Sequence, residues 1–312
     1  MRAAVMYSPG SPLVIEERPR PRSGSGLVVD VLACGVCHTD LDLLDSAAMR
    51  SPHVLGHEVV AAGPGGEPCL VYPSWGCGRC LHCRSGDEAM CPDVVIAGVH
   101  ADGGYAQALV IPDETYLFPI GHLDPATAAP LADAGATSYR AVRRAMPASR
   151  TVVIGVGGLG QYAVQWLRLV SDCRVTAIDT APEKLLRALD LGADEAVPPE
   201  ADIEPAPAVL DFVGTSESLV LAKSVVTRQG TIVIVGGGGG TLPVGMETVP
   251  YETWVTTSIM GSRSDVVTVL NHAQRGRVEC HVEPLPLDEA NTALKRLRGG
   301  AVTGRLVLEP GP

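Results

Sequence analysis

The sequence predicts an α/β protein in which a doubly wound parallel sheet accompanies a β-rich unit. Three observations predict this class. Residues 1–120 contain short apolar segments separated by glycine and proline, the pattern of a small β-rich unit. From about residue 150, apolar strands alternate with segments of helical spacing, which is typical of a parallel sheet with right-handed crossovers. A glycine-rich turn links the first of these later strands to the first helix.

The predicted elements follow in chain order. The strands of the β-rich unit are AAVMY, LVIEER, LVVDVLAC, VLGHEVVAA, CLVYP and GYAQALVI. Residues 124–145, DPATAAPLADAGATSYRAVRRA, have helical spacing. The alternating part then runs TVVIG, GLGQYAVQWLRLV, RVTAID, PEKLLRALDLG, VLDFVG, ESLVLAKSVVT and TIVIVG. The run of glycines at 236–240 is a predicted loop, and the tail contributes a helix, LDEANTALKRLRGG, and a strand, GRLVL.

Composition limits the class of protein. The 312 residues suggest about two domains. The formal charge is 24 − 35 = −11, which argues against nucleic acid or an anionic membrane as a partner. The opening MRAAVMYSPG has no secretory apolar region, and no apolar run approaches the ~18 residues of a membrane span. We therefore expect a cytoplasmic protein.

Asp133 stands among small and apolar residues in PLADAGATSY, residues 130–139. One interpretation is a solvated or capping aspartate at a helix start. The other is a buried aspartate with a partner, because an unpaired buried carboxylate is costly. Nothing in the local sequence decides between them.

The glycine-rich turn has the context of a dinucleotide site. Gly155, Gly157 and Gly160 follow a strand and open a helix, and Asp179 closes the next strand 24 residues after Gly155. The three glycines would allow a tight turn, close approach to a pyrophosphate, and helix–strand packing, while the helix N-terminus attracts phosphate. An Asp at position 179 would bind both adenosine ribose hydroxyls and repel a 2′-phosphate, which favours NAD. The alternative is a glycine-rich turn that binds no nucleotide.

Nine cysteines without a secretory signal do not indicate a disulfide framework. Four of them, in CGRCLHCRSGDEAMC, have metal-ligand spacing: Cys77, Cys80, Cys83 and Cys91. Four thiolates form a closed tetrahedral site, the structural kind of zinc site. Four free thiols are the alternative. We expect zinc to stabilise a lobe, at about residues 76–92, that has few apolar residues of its own.

A second set of metal-ligand types is scattered. CGVCHTDLD supplies Cys37, and VLGHEVV supplies His57. Each is a weak signal alone. Together they indicate a site with one thiolate, one imidazole and a third ligand still to be found, since a catalytic zinc takes three protein ligands and keeps one position open.

These motifs, in this order, resemble the zinc-containing alcohol dehydrogenases of the medium-chain dehydrogenase/reductase superfamily. The resemblance rests on CGVCHTD, GHE, the four-cysteine loop, PLADAGATSYRA, GVGGLG, AID and GRLVL, and it covers nearly the whole chain. It implies a GroES-like β-rich catalytic domain formed by both chain ends, residues 1–134 and 263–312, and a Rossmann domain over 135–262.

The resemblance also implies roles for individual residues. The catalytic zinc ligands would be Cys37, His57 and Asp133, the last in a subset that resembles bacterial secondary-alcohol dehydrogenases. Glu58 would lie behind the metal or bind it intermittently, and Asp40 would orient His57. Thr39 would hydrogen-bond the substrate hydroxyl and take its proton. Cofactor contacts would come from His38, Thr137, Arg305, Lys184 with Asp179, and the GVGGLG turn, including Gly158 and Leu159.

Two departures from the family pattern stand out. The interval from His57 to Cys77 is short, which predicts a trimmed hairpin. Many family members carry histidine at the position of Asp42, where it ends a proton relay, so the role of Asp42 is open. It either orients the relay or is a solvated side chain.

The resemblance implies two zinc ions per chain, NAD, and hydride transfer between an alcohol carbon and the nicotinamide. Two alternatives remain open: a biosynthetic carbonyl or imine reductase on the same scaffold, and a catalytically silent NAD-binding protein. We expect a small alcohol or carbonyl substrate. We also expect a homodimer or homotetramer, because the apolar edge-strand candidate around TTSIMG would be a pairing hazard if left bare.

Overall fold

The computed structural model describes residues 1–22, 24, 26–147, 149–279 and 281–311. The chain forms two compact units. The first consists of Met1–Ala136 and Gly261–Pro312, and the second is Thr137–Met260. These bounds lie two residues from the predicted division.

The first unit begins with short strands and three helices. The strands are Arg2–Met6 (β1), Val14–Glu17 (β2), Leu27–Gly35 (β3), His53–Val54 (β4), Glu58–Ala62 (β5), Pro68–Val71 (β6), Ser74–Trp75 (β7), Val95–Ile96 (β8), Ala108–Ile111 (β9) and Leu117–Pro119 (β10). The helices are His38–Asp45 (α1), Leu81–Arg84 (α2) and Pro125–Ala128 (α3). The predicted segment VLGHEVVAA is divided between β4 and β5, because Gly56 adopts a φ of +99° between them. A short turn closes the β5–β6 hairpin, where the N–H of Gly63 donates to the carbonyl of Glu67.

The second unit alternates strands and helices. A helix at Ala134–Ala145 (α4) leads into it. The elements after α4 are Arg150–Ile154 (β11), Gly160–Val170 (α5), Arg174–Ile178 (β12), Pro182–Asp190 (α6), Glu195–Val197 (β13), Ala206–Asp211 (β14), Ser216–Val225 (α7), Val226–Ile234 (β15) and Trp254–Thr257 (β16). The strands lie in the order β13-β12-β11-β14-β15-β16, and every neighbouring pair is parallel. This is a Rossmann sheet, and it confirms the predicted parallel α/β class.

The core of the second unit explains why its strands are nearly continuous apolar runs. Helices lie beside a parallel sheet, so its strands are buried on both faces. Val152, Val209 and Ile232, from β11, β14 and β15, have no exposed surface and pack together with Ala222 of α7.

The chain then returns to the first unit. Its last elements are Arg263–Gln274 (α8), Val282–Pro286 (β17), Ala290–Arg298 (α9) and Arg305–Glu309 (β18). The main sheet has the order β10-β6-β5-β3-β18-β17, and β9 also pairs with β3. β18 lies antiparallel to β3, so the first unit is built from both ends of the chain.

The segment predicted to be helical over 124–145 is interrupted. After α3, residues Ala129–Ala132 form a 3₁₀ turn, and α4 starts at Ala134. Asp133 lies at the break, with a φ of −124° and a ψ of −65°. Pro130 has no N–H for an α-helical bond, which is one reason why the helix cannot run straight through.

Candidate active site and metal centres

Four buried side chains of the first unit converge from three segments. They are Cys37, His57, Glu58 and Asp133, and one ligand atom of each lies within 4.8 Å of all the others. The side chains come from the start of α1, the start of β5 and the break before α4. This geometry brings Asp133 to the other two predicted ligands: its Oδ2 lies 3.3 Å from Nε2 of His57.

Asp40 lies behind this cluster and is fully buried. Its Oδ2 accepts a hydrogen bond from the N–H of Cys37 at 2.8 Å. Its Oδ1 accepts one from the N–H of Gly56 at 3.2 Å, and it lies 3.5 Å from Nδ1 of His57, an ion-pair distance. One carboxylate therefore contacts both segments that present Cys37 and His57.

Both carboxylate oxygens of Glu58 accept hydrogen bonds. Nε of Arg305 donates to its Oε2 at 3.0 Å, and a second guanidinium nitrogen contacts Oε1. The N–H of Ala134 donates to Oε1 at 3.2 Å. Both Glu58 and Arg305 are buried. Glu58 is therefore near the ligand set but already has a cationic partner. Contact of Arg305 with a cofactor stays a prediction.

The charges in the cluster affect one another. Burial acts to lower the pKa of His57, but the carboxylates of Asp40 and Asp133 outweigh it and raise this pKa well above its usual range. Burial raises the pKa of Glu58, although Arg305 opposes that shift. Buried carboxylates need partners, and a divalent cation between Cys37, His57 and Asp133 would provide one.

The donor set fits zinc. Thiolate sulfur, imidazole nitrogen and carboxylate oxygen are its usual protein ligands, and three of them leave one position open. Burial supports the fit, because all four side chains are shielded from bulk water, which would otherwise compete with them for a bound ion. These residues could therefore hold a zinc ion.

The four-cysteine loop forms a second group in which the sulfurs also lie within 4.8 Å of one another. Sγ of Cys83 is 3.4 Å from Sγ of Cys80 and 4.0 Å from that of Cys77. The N–H of Cys77 points to Sγ of Cys91 at 3.4 Å. The described cysteines are all free thiols; Cys280 lies outside the described residues. Four thiols that converge without disulfides fit a closed zinc site.

Two thiols of the loop have pKa values shifted in opposite directions. The backbone N–H groups of Arg79 and Cys80 lower the pKa of Cys77 to about 6. Burial and the neighbouring sulfurs raise the pKa of Cys83 to about 12. Sulfur atoms packed this closely titrate as a group, and a metal ion would hold all four as thiolates.

Arg263 attaches the four-cysteine loop to the start of α8. Its Nε lies 2.5 Å from Oε1 of Glu88, and its N–H donates to the carbonyl of Gly86 at 3.0 Å. Its guanidinium carbon lies 4.5, 5.4 and 6.0 Å from the ring centres of Tyr116, Tyr72 and Phe118. These are cation–π distances. Sequence reasoning missed this contact, because nothing around Arg263 marks it.

The glycine-rich turn of the second unit has three sterically different positions. Gly155 has a φ of +84°, which side-chain-bearing residues rarely adopt. A Cβ at Gly160 would overlap the carbonyl oxygen of Gly155, whereas a Cβ at Gly157 would meet no atom within 4 Å. The turn is thus tight, packed against its helix, and open at Gly157. Gly158 and Leu159 complete it before α5 begins.

Asp179 follows β12 and is held by backbone donors. Its Oδ2 accepts from the N–H of Val156 at 2.8 Å, and its Oδ1 accepts from the N–H of Ala181 at 3.0 Å. The carboxylate is therefore fixed beside the glycine-rich turn. Lys184 lies in the first turns of α6, and Thr137 is buried in α4.

The remaining predicted residues lie on α1. His38 and Thr39 are exposed, and Oγ1 of Thr39 is 3.6 Å from Sγ of Cys37. Asp42 is exposed one turn further along. Burial raises the pKa of Asp42, with His38 opposing that shift. Thr39 is thus close to the buried cluster and also reaches solvent, as does Asp42.

Comparisons with known proteins agree with this geometry. The family described as "Alcohol dehydrogenase GroES-like domain" matches residues 24–122, and the family described as "Zinc-binding dehydrogenase" matches residues 158–275. An NAD-dependent alcohol dehydrogenase of Sulfolobus acidocaldarius is 32% identical, and the alignment covers 99% of both chains. That alignment is 343 positions long, which exceeds this chain by 343 − 312 = 31 positions, so this chain is shortened relative to it.

Two further proteins are informative. The D-arabinose 1-dehydrogenase (NADP(+)) of Saccharolobus solfataricus is 30% identical, with 99% of this chain and 97% of that protein covered. The crystal structure of the alcohol dehydrogenase of Aeropyrum pernix has a TM-score of 0.92 at 32% identity and covers 99% of this chain and 100% of that one.

The fold and the two metal-ligand clusters define a zinc-binding oxidoreductase that acts on CH–OH groups with a nicotinamide cofactor. The chain belongs to the zinc-containing alcohol dehydrogenases of the medium-chain dehydrogenase/reductase superfamily, which confirms the predicted resemblance. Its first unit contains the GroES-like domain. Among the described residues, no helix is long and apolar enough to cross a membrane.

Proposed function

We propose that this protein is an NAD-dependent zinc dehydrogenase that interconverts an alcohol and the corresponding ketone or aldehyde. The observation that carries the proposal is the buried convergence of Cys37, His57 and Asp133, with the hydroxyl of Thr39 beside the thiol. Burying three metal-ligand types and two further acids together is costly, and charged groups gathered in this way are typical of functional sites.

Cys37, His57 and Asp133 are the proposed ligands of the catalytic zinc. Glu58 is the fourth candidate, but Arg305 and the N–H of Ala134 hold both of its oxygens. We therefore assign Glu58 to a position behind the metal. A zinc ion bound here supplies a Lewis acid that lowers the pKa of a substrate hydroxyl, and the nicotinamide supplies the hydride acceptor.

The residues of α1 would move the proton. Thr39 is exposed and adjacent to the thiol of Cys37, so its hydroxyl is placed to accept a hydrogen bond from the substrate and pass the proton on. A hydroxyl is too weak a base to keep that proton, so a further group or water must accept it. We propose that water accepts the proton from Thr39 and that Asp42 orients this transfer.

NAD is the proposed cofactor, held by the glycine-rich turn, Asp179, Lys184 and, from the resemblance, His38, Thr137 and Arg305. The carboxylate of Asp179 is fixed by two backbone N–H groups, and a 2′-phosphate beside it would bring two like charges together. Such juxtapositions cost several kcal/mol. The NADP-dependent relative shows that cofactor choice varies among proteins this similar, so the choice needs its own measurement.

The cofactor test compares kcat/KM for NAD and NADP with one alcohol. We expect NAD to be preferred by at least about a hundredfold, the equivalent of ~3 kcal/mol. Asp179→Ser should reduce that ratio, whereas Asp190→Ser, on the exposed end of α6, should leave it unchanged. Equal kcat/KM for both cofactors in the wild type would contradict the assignment.

A homodimer or homotetramer is the proposed assembly. β16 lies at the edge of the Rossmann sheet, and its Trp254 is 72% exposed, with Tyr251 close by in sequence at 55%. An exposed edge strand with large apolar side chains invites pairing with another chain. Light scattering at micromolar concentration tests this, and a monomer would contradict it.

The activity itself is tested with metal analysis and a substrate panel. We expect two zinc ions per chain and NADH formation with simple alcohols. Asp133→Ala should lose one zinc ion and the activity. Asp30→Ala, which removes an exposed acid of β3 paired with Arg20, is the matched control and should change neither. A wild type with two zinc ions but no turnover of any alcohol, ketone or aldehyde would favour the silent NAD-binding alternative.

A further inference from the structure

Tyr105 is a buried tyrosine that reaches the back of the proposed catalytic metal site. Its side chain has no exposed surface. Its hydroxyl donates to Oδ2 of Asp40 at 2.9 Å, the same oxygen that accepts the N–H of Cys37 at 2.8 Å. Within the described part of the chain its hydroxyl bonds to Asp40 and to none of the three proposed ligands, so an effect of the hydroxyl on the metal would pass through Asp40.

The backbone fixes the position of this ring. The N–H of Tyr105 donates to the carbonyl of Leu55 at 3.0 Å, and its own carbonyl accepts from Ala4 at 2.8 Å. The ring fills a slot beside Gly56, where a Cβ would overlap both the ring and Sγ of Cys34. The glycine that precedes His57 therefore gives the ring its space.

Asp40 connects this ring to both ligand-bearing segments. Its two oxygens contact the N–H of Cys37, the N–H of Gly56 and, at 3.5 Å, Nδ1 of His57. Without the phenol, Oδ2 would keep only the N–H of Cys37. The carboxylate would then be held less firmly, and Oδ1 would be less firmly directed at the imidazole.

We propose that Tyr105 is a positioning residue for the catalytic zinc, which acts by fixing the carboxylate of Asp40 and, through it, Cys37 and His57. The inference rests on the proposed function, since it concerns the same metal site. The hydroxyl can do this only as a donor, and burial together with Asp40 raises the pKa of Tyr105 well above its ordinary value. It therefore stays protonated over the working range of the enzyme.

The test is Tyr105→Phe, which removes the hydroxyl and keeps the ring. Tyr72→Phe is the matched control, because Tyr72 is equally buried in the same unit and its hydroxyl donates one hydrogen bond, to Gly261 at 2.8 Å. The measurement is competition between each protein and a zinc chelator, with the zinc of the four-cysteine loop as an internal reference. Melting of the zinc-free proteins reports on a merely structural effect.

We expect Tyr105→Phe to bind the catalytic zinc at least about tenfold more weakly, at the low end of the effect of removing an outer partner of a metal ligand. Its loop zinc should be held as tightly as in the wild type, and its zinc-free melting temperature should stay within a few degrees of that of Tyr72→Phe. Equal catalytic-zinc affinity in the two variants would overturn the role of Tyr105 and leave the proposed function standing. A wild type that holds zinc only in the four-cysteine loop would overturn both.

Discussion

The two metal-ligand clusters of the first unit are built in opposite ways. The four-cysteine group lies within residues 77–91, is partly exposed, and its sulfurs lie against one another. The Cys37, His57 and Asp133 group is buried and spans nearly a hundred residues of sequence. Around it lies a network of contacts made by Asp40, Glu58, Tyr105 and Arg305. We expect the loop to need its metal to hold its structure, whereas hydrogen bonds from the surrounding fold already hold the buried group.

This difference has a chemical consequence. A loop of four thiolates closes around its ion and leaves no position for a substrate. A ligand set imposed by the surrounding fold can keep one position open, because packing and hydrogen bonds hold the side chains without a fourth protein ligand.

The sharpest test removes one ligand from each cluster. Cys83→Ser should lose the loop zinc and destabilise the lobe by several kcal/mol, because metal-binding free energy in such a site is folding free energy. Asp133→Ala should lose the other zinc and all measurable turnover with a much smaller change in melting temperature. Zinc content, calorimetry and proteolysis within residues 76–92 provide the readouts. Equal loss of stability in the two variants would remove the contrast.

The second test concerns the buried ion pair behind Asp133. Arg305→Ala leaves the carboxylate of Glu58 buried without its cation and should cost about 3–5 kcal/mol. The matched control is Arg296→Ala, which breaks an exposed bidentate pair with Glu283 and should cost at most about 1 kcal/mol. Denaturant unfolding measures both. Similar losses of unfolding free energy in the two variants would show that the buried carboxylate of Glu58 does not need Arg305 as its partner.

The third test asks whether the loop also depends on a partner outside it. Arg263→Ala removes the charged bond to the buried Glu88 and three cation–π contacts, so it should cost about 1.5–3 kcal/mol. The loop zinc should also dissociate faster into a chelator. Arg298→Ala, which breaks an exposed pair with Asp45, is the control. Unchanged zinc release in Arg263→Ala would mean that the loop is held by its metal alone.

The smallest effect is expected at Asp42, outside both clusters. If Asp42 orients the proton relay, Asp42→Ala should slow alcohol oxidation a few-fold at about pH 6 and less at about pH 9, where hydroxide accepts the proton directly. Asp42→His should restore the low-pH rate, because histidine stores a proton near neutrality. The measurement is kcat against pH, with single-turnover rates as a check. Superimposable profiles for the three proteins would make Asp42 a surface residue.

The sequence by itself determined the features whose parts are close together in the chain. The spacing of Cys77, Cys80, Cys83 and Cys91 predicted one metal group, and the structure brings these sulfurs together. The alternating strands and the glycines of the first crossover predicted a parallel sheet. Such patterns are readable because a tight loop or a strand–turn–helix unit leaves few other conformations for those residues.

Only the tertiary structure decided how the distant residues meet. Helical periodicity ran straight through Asp133, whereas the chain breaks there and directs the carboxylate to His57. The resemblance predicts a cofactor contact for Arg305, which stays a prediction, and the pairing of β18 with β3 brings its side chain to Glu58. Nothing local marked Tyr105. These contacts depend on strand order and burial, which the whole core sets. A buried charge or hydroxyl is stable only where another segment, often distant in sequence, provides its partner.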